Sequence, residues 1–395
     1  MARKVGIEGL YYITHFGNVI SILQKGIFSH ALVEKENLSY QKIYNLEILN
    51  RRATKIVEGE KTLWDFANLY FQPRNAMLYY LKDRKDEIAI ICVKKSILKK
   101  SNIFITTGNA AHNESQIIRI GECQEILPKI RDEIDKEWWN AEDGSKRKMM
   151  AECLVPDLVP ASYIQSIYVA NDKAKHNLEK VISDSEDKVI QKIPLVVEPK
   201  KFFLPDLRIS LTSNISLIRG DMFFSTMQTL TVSVNCVGVM GKGLASTAKY
   251  RFPYLYVRYE DLCKQGIMEM GKPYLYKRES SIFYELAEEW VYLENGNNHH
   301  TWFLLFPTKK HWRNKADMQG IEKGLQWIVE NYQKSGIQSL ALPALGCGLG
   351  QLEWQDVGPL MCKYMTEIDI PVAIYLPGER ELTRDLLSPE FLLSK

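Results

Sequence analysis

From Ile209 onward the chain alternates β-rich runs with amphipathic stretches, and this alternation limits the fold more than any other feature. Residues 229–234, 302–306, 337–342 and 370–376 read as β-rich runs, and 318–332 and 357–365 lie between them as amphipathic stretches. Strands that alternate with helices build a three-layer α/β domain. Upstream the pattern differs. Apolar Val19, Ile22 and Leu23 follow Asn18 and stop at Gly26, which reads as a short capped helix. Residues 88–93 and 164–169 read as buried strands, 171–183 as a polar helix and 183–188 as a charged loop. Residues 193–197 read as a strand closing this half, at an edge because Pro194 cannot donate to a ladder. Two proline breaks, Glu198-Pro199-Lys200-Lys201 and Leu204-Pro205-Asp206, separate the patterns. The chain of 395 residues is thus expected to form two domains, 1–205 and 206–395, held close by a short connection.

Composition excludes little. The net charge of +3 neither requires nor forbids nucleic acid, because a local patch is enough to bind it. The seven cysteines are odd in number and never in CxxC spacing, so reduced thiols are expected, with no disulfide framework and no metal. No run approaches the roughly 20 apolar residues of a membrane helix, and residues 1–10 do not read as a secretory signal. A cytoplasmic protein with no membrane contact is expected.

Three stretches of the second half carry chemistry. Asp221 follows a strand-like run within RGDMF, where an acid can meet an adenine amine or a ribose hydroxyl; a simple turn is the plainer reading. The loop VNCVGVMGKGLA, residues 234–245, leaves a strand and opens a helix. Its glycines let backbone N–H groups approach a phosphate, but it has neither the Walker ending nor the GxGxxG spacing of a dinucleotide fingerprint. The loop PALGCGLG, residues 343–350, again follows a strand, and two such turns can clasp both phosphates of a diphosphate.

Together with Phe306-Pro307-Thr308-Lys309-Lys310, these stretches resemble the macrodomain family over residues 209–376, closest to its DarG and terminal ADP-ribose glycohydrolase branch. The resemblance implies an ADP-ribose site at Asp221, Asn235, Gly241, Gly243, Gly346, Cys347, Gly348, Leu349 and Gly350, with Lys309 as the catalytic lysine. The branch acting on protein esters has an aspartate after GCGL; Gly350 stands here, as in DarG-like domains, which favours a nucleic-acid adduct.

In the first half the signals are individually weak. His15 and Asn18 lie in ITHFGN at a strand end; Arg51 and Arg52 form a pair suited to a diphosphate or to solvent; Tyr70, Arg74, Met77 and Tyr79 fall in an aromatic-rich segment suited to stacking or to a core. Glu152 enters an apolar strand in AECLVPD, where a carboxylate must be paired or working unless it faces solvent. Their order resembles the DarT family from Tyr12 to about Leu204. That resemblance implies an ADP-ribosyltransferase fold with a split, mainly antiparallel β core, and transfer of ADP-ribose from NAD to a base in single-stranded DNA without a metal. Glu152 would be catalytic, Arg52 the family arginine (Arg51 remaining an alternative by one residue), and His15, Asn18, Arg51, Tyr70, Arg74, Met77 and Tyr79 would bind NAD or the base. Residues 112–148 would recognise the strand, with Lys146, Arg147 and Lys148 as phosphate contacts or a solvated cluster. Thymidine is the preferred base, with guanosine open, and protein in place of DNA is a rival substrate. One half writing ADP-ribose and the other erasing it is the arrangement of a toxin and antitoxin in one chain; a macrodomain that only reads ADP-ribose, or masks the transferase by intramolecular contact, is the competing reading.

Overall fold

The computed structural model describes residues 7–44, 46–140, 142–183, 185, 192–287, 300–378 and 381–394, with backbone only for 46–49. The loop expected over 183–188 lies largely outside the described residues. The described residues pack as two compact units, one of residues up to 203 with 283–287, the other of 204–282 with those from 300 onward. A single cut at 205 does not separate them, because the described residues 283–287 lie with the first unit.

The first unit is built on one eight-stranded sheet. Its order is Leu195–Val197, Ile164–Val169, Ile88–Lys94, Gly9–His15, Phe66–Tyr70, Glu152–Pro156, Phe104–Thr106 and Ile117–Arg119. Only the edge strand Leu195–Val197 runs parallel to its neighbour; the other pairs are antiparallel. Gly9–His15 pairs with Ile88–Lys94 along its whole length but meets Phe66–Tyr70 only at Tyr11 and Tyr70. The sheet is therefore split there into two halves. Leu10, Leu69, Ile91, Val93, Ile105, Cys153 and Val155 form the core together with Val19 and Ile22 of the helix Val19–Lys25 and Leu178 and Ile182 of the helix Asp172–Ser183. Cross-strand register sets Tyr11, Tyr70 and Glu152 in one row beside the split.

The second unit carries a seven-stranded sheet in the order Leu207–Ser210, Ile215–Arg219, Val372–Tyr375, Leu340–Pro343, Thr229–Asn235, Trp302–Lys309 and Tyr274–Tyr276. The inner five are parallel and the two edges antiparallel. Side-chain alternation along Trp302–Lys309 sends Leu304 and Phe306 into a core with Ile321, Leu325, Val357 and Met361 of the helices Met318–Ser335 and Trp354–Met365. Phe303 points the other way, to Phe252 at the head of the helix Pro253–Lys264. The sheet is thus sandwiched between helical layers. The strand expected from 337 starts at Leu340, because the Ile337 N–H closes the preceding helix on the Tyr332 carbonyl.

Among the described residues no helix is long and apolar enough to cross a membrane, and no group of three His, Cys, Asp or Glu is gathered to hold a metal ion.

Candidate active sites

In the first unit the apolar run ECLVP dictates a central strand, and its first residue, Glu152, is completely buried. Bare burial of a carboxylate costs many kcal/mol, so partners must converge on it. Three N–H groups do. Arg52, at the end of the helix Leu46–Thr54 and only 7% exposed, places Nη2 3.1 Å from Oε2 and Nη1 3.4 Å from Oε1. The Ala110 backbone N–H donates to Oε1 at 2.8 Å. Below the carboxylate, the Thr106 hydroxyl accepts from the Glu152 N–H at 2.8 Å and donates to the Gly108 carbonyl at 2.5 Å. The carboxylate is held in one position while its strand neighbour Tyr70 turns its hydroxyl toward the Met77 sulfur, 3.3 Å away.

In the second unit every expected residue falls at the carboxyl ends of the parallel strands or in the turns that follow, where open α/β sheets bind ligands. Asn235 ends its strand and organises the following loop: its Oδ1 accepts from the Val237 and Val239 N–H groups, and its Nδ2 donates to the Val239 carbonyl. Tyr259, from below, sets its hydroxyl 2.9 Å from both oxygens of Asn235. The loop 344–350 is folded tightly on itself. Gly346 has φ +73°, and a Cβ on Gly350 would overlap the Gly346 carbonyl oxygen and lie 2.7 Å from its Cα. Leu349 rests against Gly243, with Cδ1 3.2 Å from where a Cβ would stand, so the two glycine-rich loops meet. Lys309 stands between them. It is opposite Asn235 in the sheet, and its Nζ donates to the Leu349 carbonyl at 3.0 Å. Partial burial lowers its pKa from the ordinary lysine value.

A family model described as "ssDNA thymidine ADP-ribosyltransferase, DarT" matches residues 11–203, and one described as "Macro domain" matches 232–361. The chain is 55% identical over 387 residues to a DNA ADP-ribosyl transferase–DNA ADP-ribosyl glycohydrolase fusion protein of Thermosipho africanus, covering 97% of this chain and 98% of that one. It belongs to that family of fused DarT–DarG proteins. The solved structure of Thermosipho africanus DarTG in complex with ADP-ribose superposes with a TM-score of 0.91 at 54% identity, over 98% of this chain and 100% of that one. A DNA ADP-ribosyl glycohydrolase of Mycobacterium tuberculosis is 33% identical over 160 residues, 40% of this chain and 41% of that protein.

Within the DarT-type half the other expected residues divide. His15 ends its strand, with Nδ1 accepting from the Gly17 N–H at 3.0 Å and Nε2 3.6 Å from Glu87. Asn18 is committed to architecture: Nδ2 donates to Thr14 and to the Gln41 carbonyl, and Oδ1 accepts from the Gln41 N–H. Arg51 is exposed beside the buried Arg52. Arg74 lies 5.0 Å from the Phe203 ring. Tyr79 is packed in an aromatic cluster with Trp139, Phe203 and Phe283 and is 1% exposed, so it fills space there and does not line an open pocket. Lys146 is buried and Arg147 reaches Ser115 and Glu114, so these two are folded into the unit, while Lys148, 3.8 Å from Glu133, keeps its side chain partly in solvent.

The sequence reading missed an aromatic group near Arg52. His30 stacks on Trp64 with ring centroids 4.4 Å apart, and Tyr44 meets it edge-on at 5.6 Å. Burial first, then the Arg52 and Lys42 charges, push the His30 imidazole down to about 4, and burial raises Tyr12 to about 12. Tyr40, Tyr44 and Trp64 are no denser there than aromatics are elsewhere in the chain, so no local signal marked the group. In the DarG-type half, Asp221 accepts from the Phe223 N–H and pairs with Arg251 at 2.6 Å. Gly241 leaves open space, Gly243 (φ +61°) starts the helix Gly243–Arg251, and the Gly348 carbonyl closes a turn with Gln351. Cys347 is buried beneath.

Proposed function

We propose that the DarT-type half transfers ADP-ribose from NAD to thymidine in single-stranded DNA, and that the DarG-type half removes it. The observation carrying the first step is the buried Glu152 carboxylate fixed by Arg52 and the Ala110 N–H beside the split in the sheet. NAD is the donor. Its nicotinamide leaves with the electron pair of the glycosidic bond, and the ribose carbon becomes oxocarbenium-like. Glu152 orients that ribose and takes the proton released when a base nitrogen attacks. Arg52 keeps the carboxylate aimed, while His15 and Arg51 contribute to the NAD seat. A single strand presents an unstacked base without the cost of flipping it out of a duplex.

For removal, the two glycine-rich loops hold the diphosphate through backbone N–H groups, and Lys309, between them, engages the anomeric carbon. Water ends on the ribose and the base nitrogen regains its proton. Neither step calls for a metal. Asp221, with one oxygen on Arg251, offers its remaining acceptor capacity to the adenosine end.

The test is a time course with NAD and thymidine-containing single-stranded oligonucleotides on the full chain, Lys309→Ala and Glu152→Ala. The Lys309 variant should accumulate an adduct of one ADP-ribose that the full chain removes, and the Glu152 variant should make none. Modification of protein but not oligonucleotide would overturn the substrate. ADP-ribose binding without removal by a chain with intact Lys309 would make the second half a reader.

A further inference from the structure

Beyond Lys309 itself, the loop 310–317 of the DarG-type half has no part in the reading above, yet it is built with care. The Cys236 N–H donates to the Lys310 carbonyl at 3.0 Å, the Ala316 N–H to the Gly350 carbonyl at 2.9 Å and the Asp317 N–H to the Thr308 carbonyl at 2.9 Å. The loop is thereby strung between the two glycine-rich loops that flank Lys309. At its tip the His311 carbonyl accepts from the Asn314 N–H, and His311 Nδ1 accepts from the Arg313 N–H. This turn presents Trp312, 46% exposed, stacked with His311 at 5.4 Å and with the Arg313 guanidinium 4.6 Å from its ring centroid. Lys310, Arg313, Asn314 and Lys315 are exposed, and no acidic residue occurs from Lys309 to Ala316. Among the described residues none of Lys310, Arg313 or Lys315 is paired with a carboxylate.

A single exposed indole is ordinary. An indole on a pinned turn, ringed by unpaired cations and three residues from the reactive lysine, has the composition of a single-strand platform: a ring face for a base and cations for the adjoining phosphates. We propose that Trp312 stacks a base neighbouring the ADP-ribosylated thymidine while Arg313 and Lys315 hold the flanking phosphates. The inference rests on removal of ADP-ribose from DNA by this half and names how that half grips the strand. The physical need is clear. A site that recognised ADP-ribose alone would bind its product as well as its substrate, whereas a foothold on the strand supplies binding that the released product lacks.

The experiment uses the full chain without NAD, so that nothing new is written, and two substrates: an ADP-ribosylated single-stranded oligonucleotide and the ADP-ribosylated thymidine nucleoside. Trp312→Ala should raise KM for the oligonucleotide about tenfold and leave the nucleoside unchanged, with Trp312→Phe recovering most of the loss. Arg313→Gln with Lys315→Gln should flatten the salt dependence of the oligonucleotide KM. Equal changes on both substrates, or none on the oligonucleotide, would overturn the platform alone. Release from neither substrate by the starting chain would overturn the removal activity, and the platform with it.

Discussion

The Glu152 and Lys309 sites each hold one reactive group, by opposite means. Glu152 is fully buried and is fixed by groups contributed from Arg52, Thr106 and Ala110, far away in sequence. Lys309 is half-buried at a strand end, anchored by one bond to a carbonyl, and its surroundings are backbone turns. A buried carboxylate is tolerable only while its counter-charge is present. A lysine on an open rim needs only part of its hydration removed. The first site should therefore be fragile to loss of charge and the second to added volume.

The largest effects fall on the reactive groups. Glu152→Gln should cut transfer on the order of 10³-fold, and removing one charge of the buried Glu152–Arg52 pair should cost about 3–5 kcal/mol of stability. Lys309→Ala should abolish ADP-ribose release while shifting stability by no more than about 0.5 kcal/mol. Paired assays and denaturant melts check this, and equal loss of stability in the two variants would break the contrast.

Volume should reverse the ranking. Gly350→Ala sets a Cβ into the Gly346 backbone and should cost about 1–3 kcal/mol, with ADP-ribose affinity falling with it. At Gly241 the nearest atom to an added Cβ is Val239 Cγ1 at 3.8 Å, so Gly241→Ala should fold as well as the parent. Calorimetric titration with ADP-ribose separates the two.

A third difference is in pH. Burial lowers the Lys309 pKa, so its neutral, nucleophilic form appears at lower pH than that of an ordinary lysine. Release should rise about tenfold per pH unit below that shifted value and level off above it, as read from initial rates across pH. A rate that falls on the alkaline side instead would make the cationic form the working one, with Lys309 polarising the substrate.

The two sites also differed in how far they could be read from the amino acids. At the second, VNCVGVMGKGLA and PALGCGLG reveal their turns locally, because glycine and strand periodicity are short-range signals. At the first, the Arg51–Arg52 ambiguity had no local solution: neighbouring helix positions face different directions, and the deciding partner, Glu152, is a hundred residues on. Long-range pairing likewise hid the use of Asn18 to pin Gln41, the Arg251 partner of Asp221 and the burial of Tyr79 against Trp139 and Phe283. The placement of 283–287 with the first unit was illegible for the same reason, since no composition shift marks it.

The smallest effect tests how deep the rigidity of the first site runs. The Thr106 hydroxyl accepts from the Glu152 N–H and donates to Gly108, two residues before the Ala110 N–H that holds the carboxylate. Thr106→Val keeps the shape but leaves a buried N–H and a buried carbonyl without that partner, a cost of about 1–3 kcal/mol. Because both the strand start and the Ala110 loop loosen, kcat for transfer should fall roughly tenfold while KM for NAD barely moves, and Thr106→Ser should restore it. An unchanged kcat in Thr106→Val would mean that Arg52 and the Ala110 N–H position the carboxylate without help from Thr106; the first site would then depend on a single side-chain partner, much as Lys309 depends on one carbonyl.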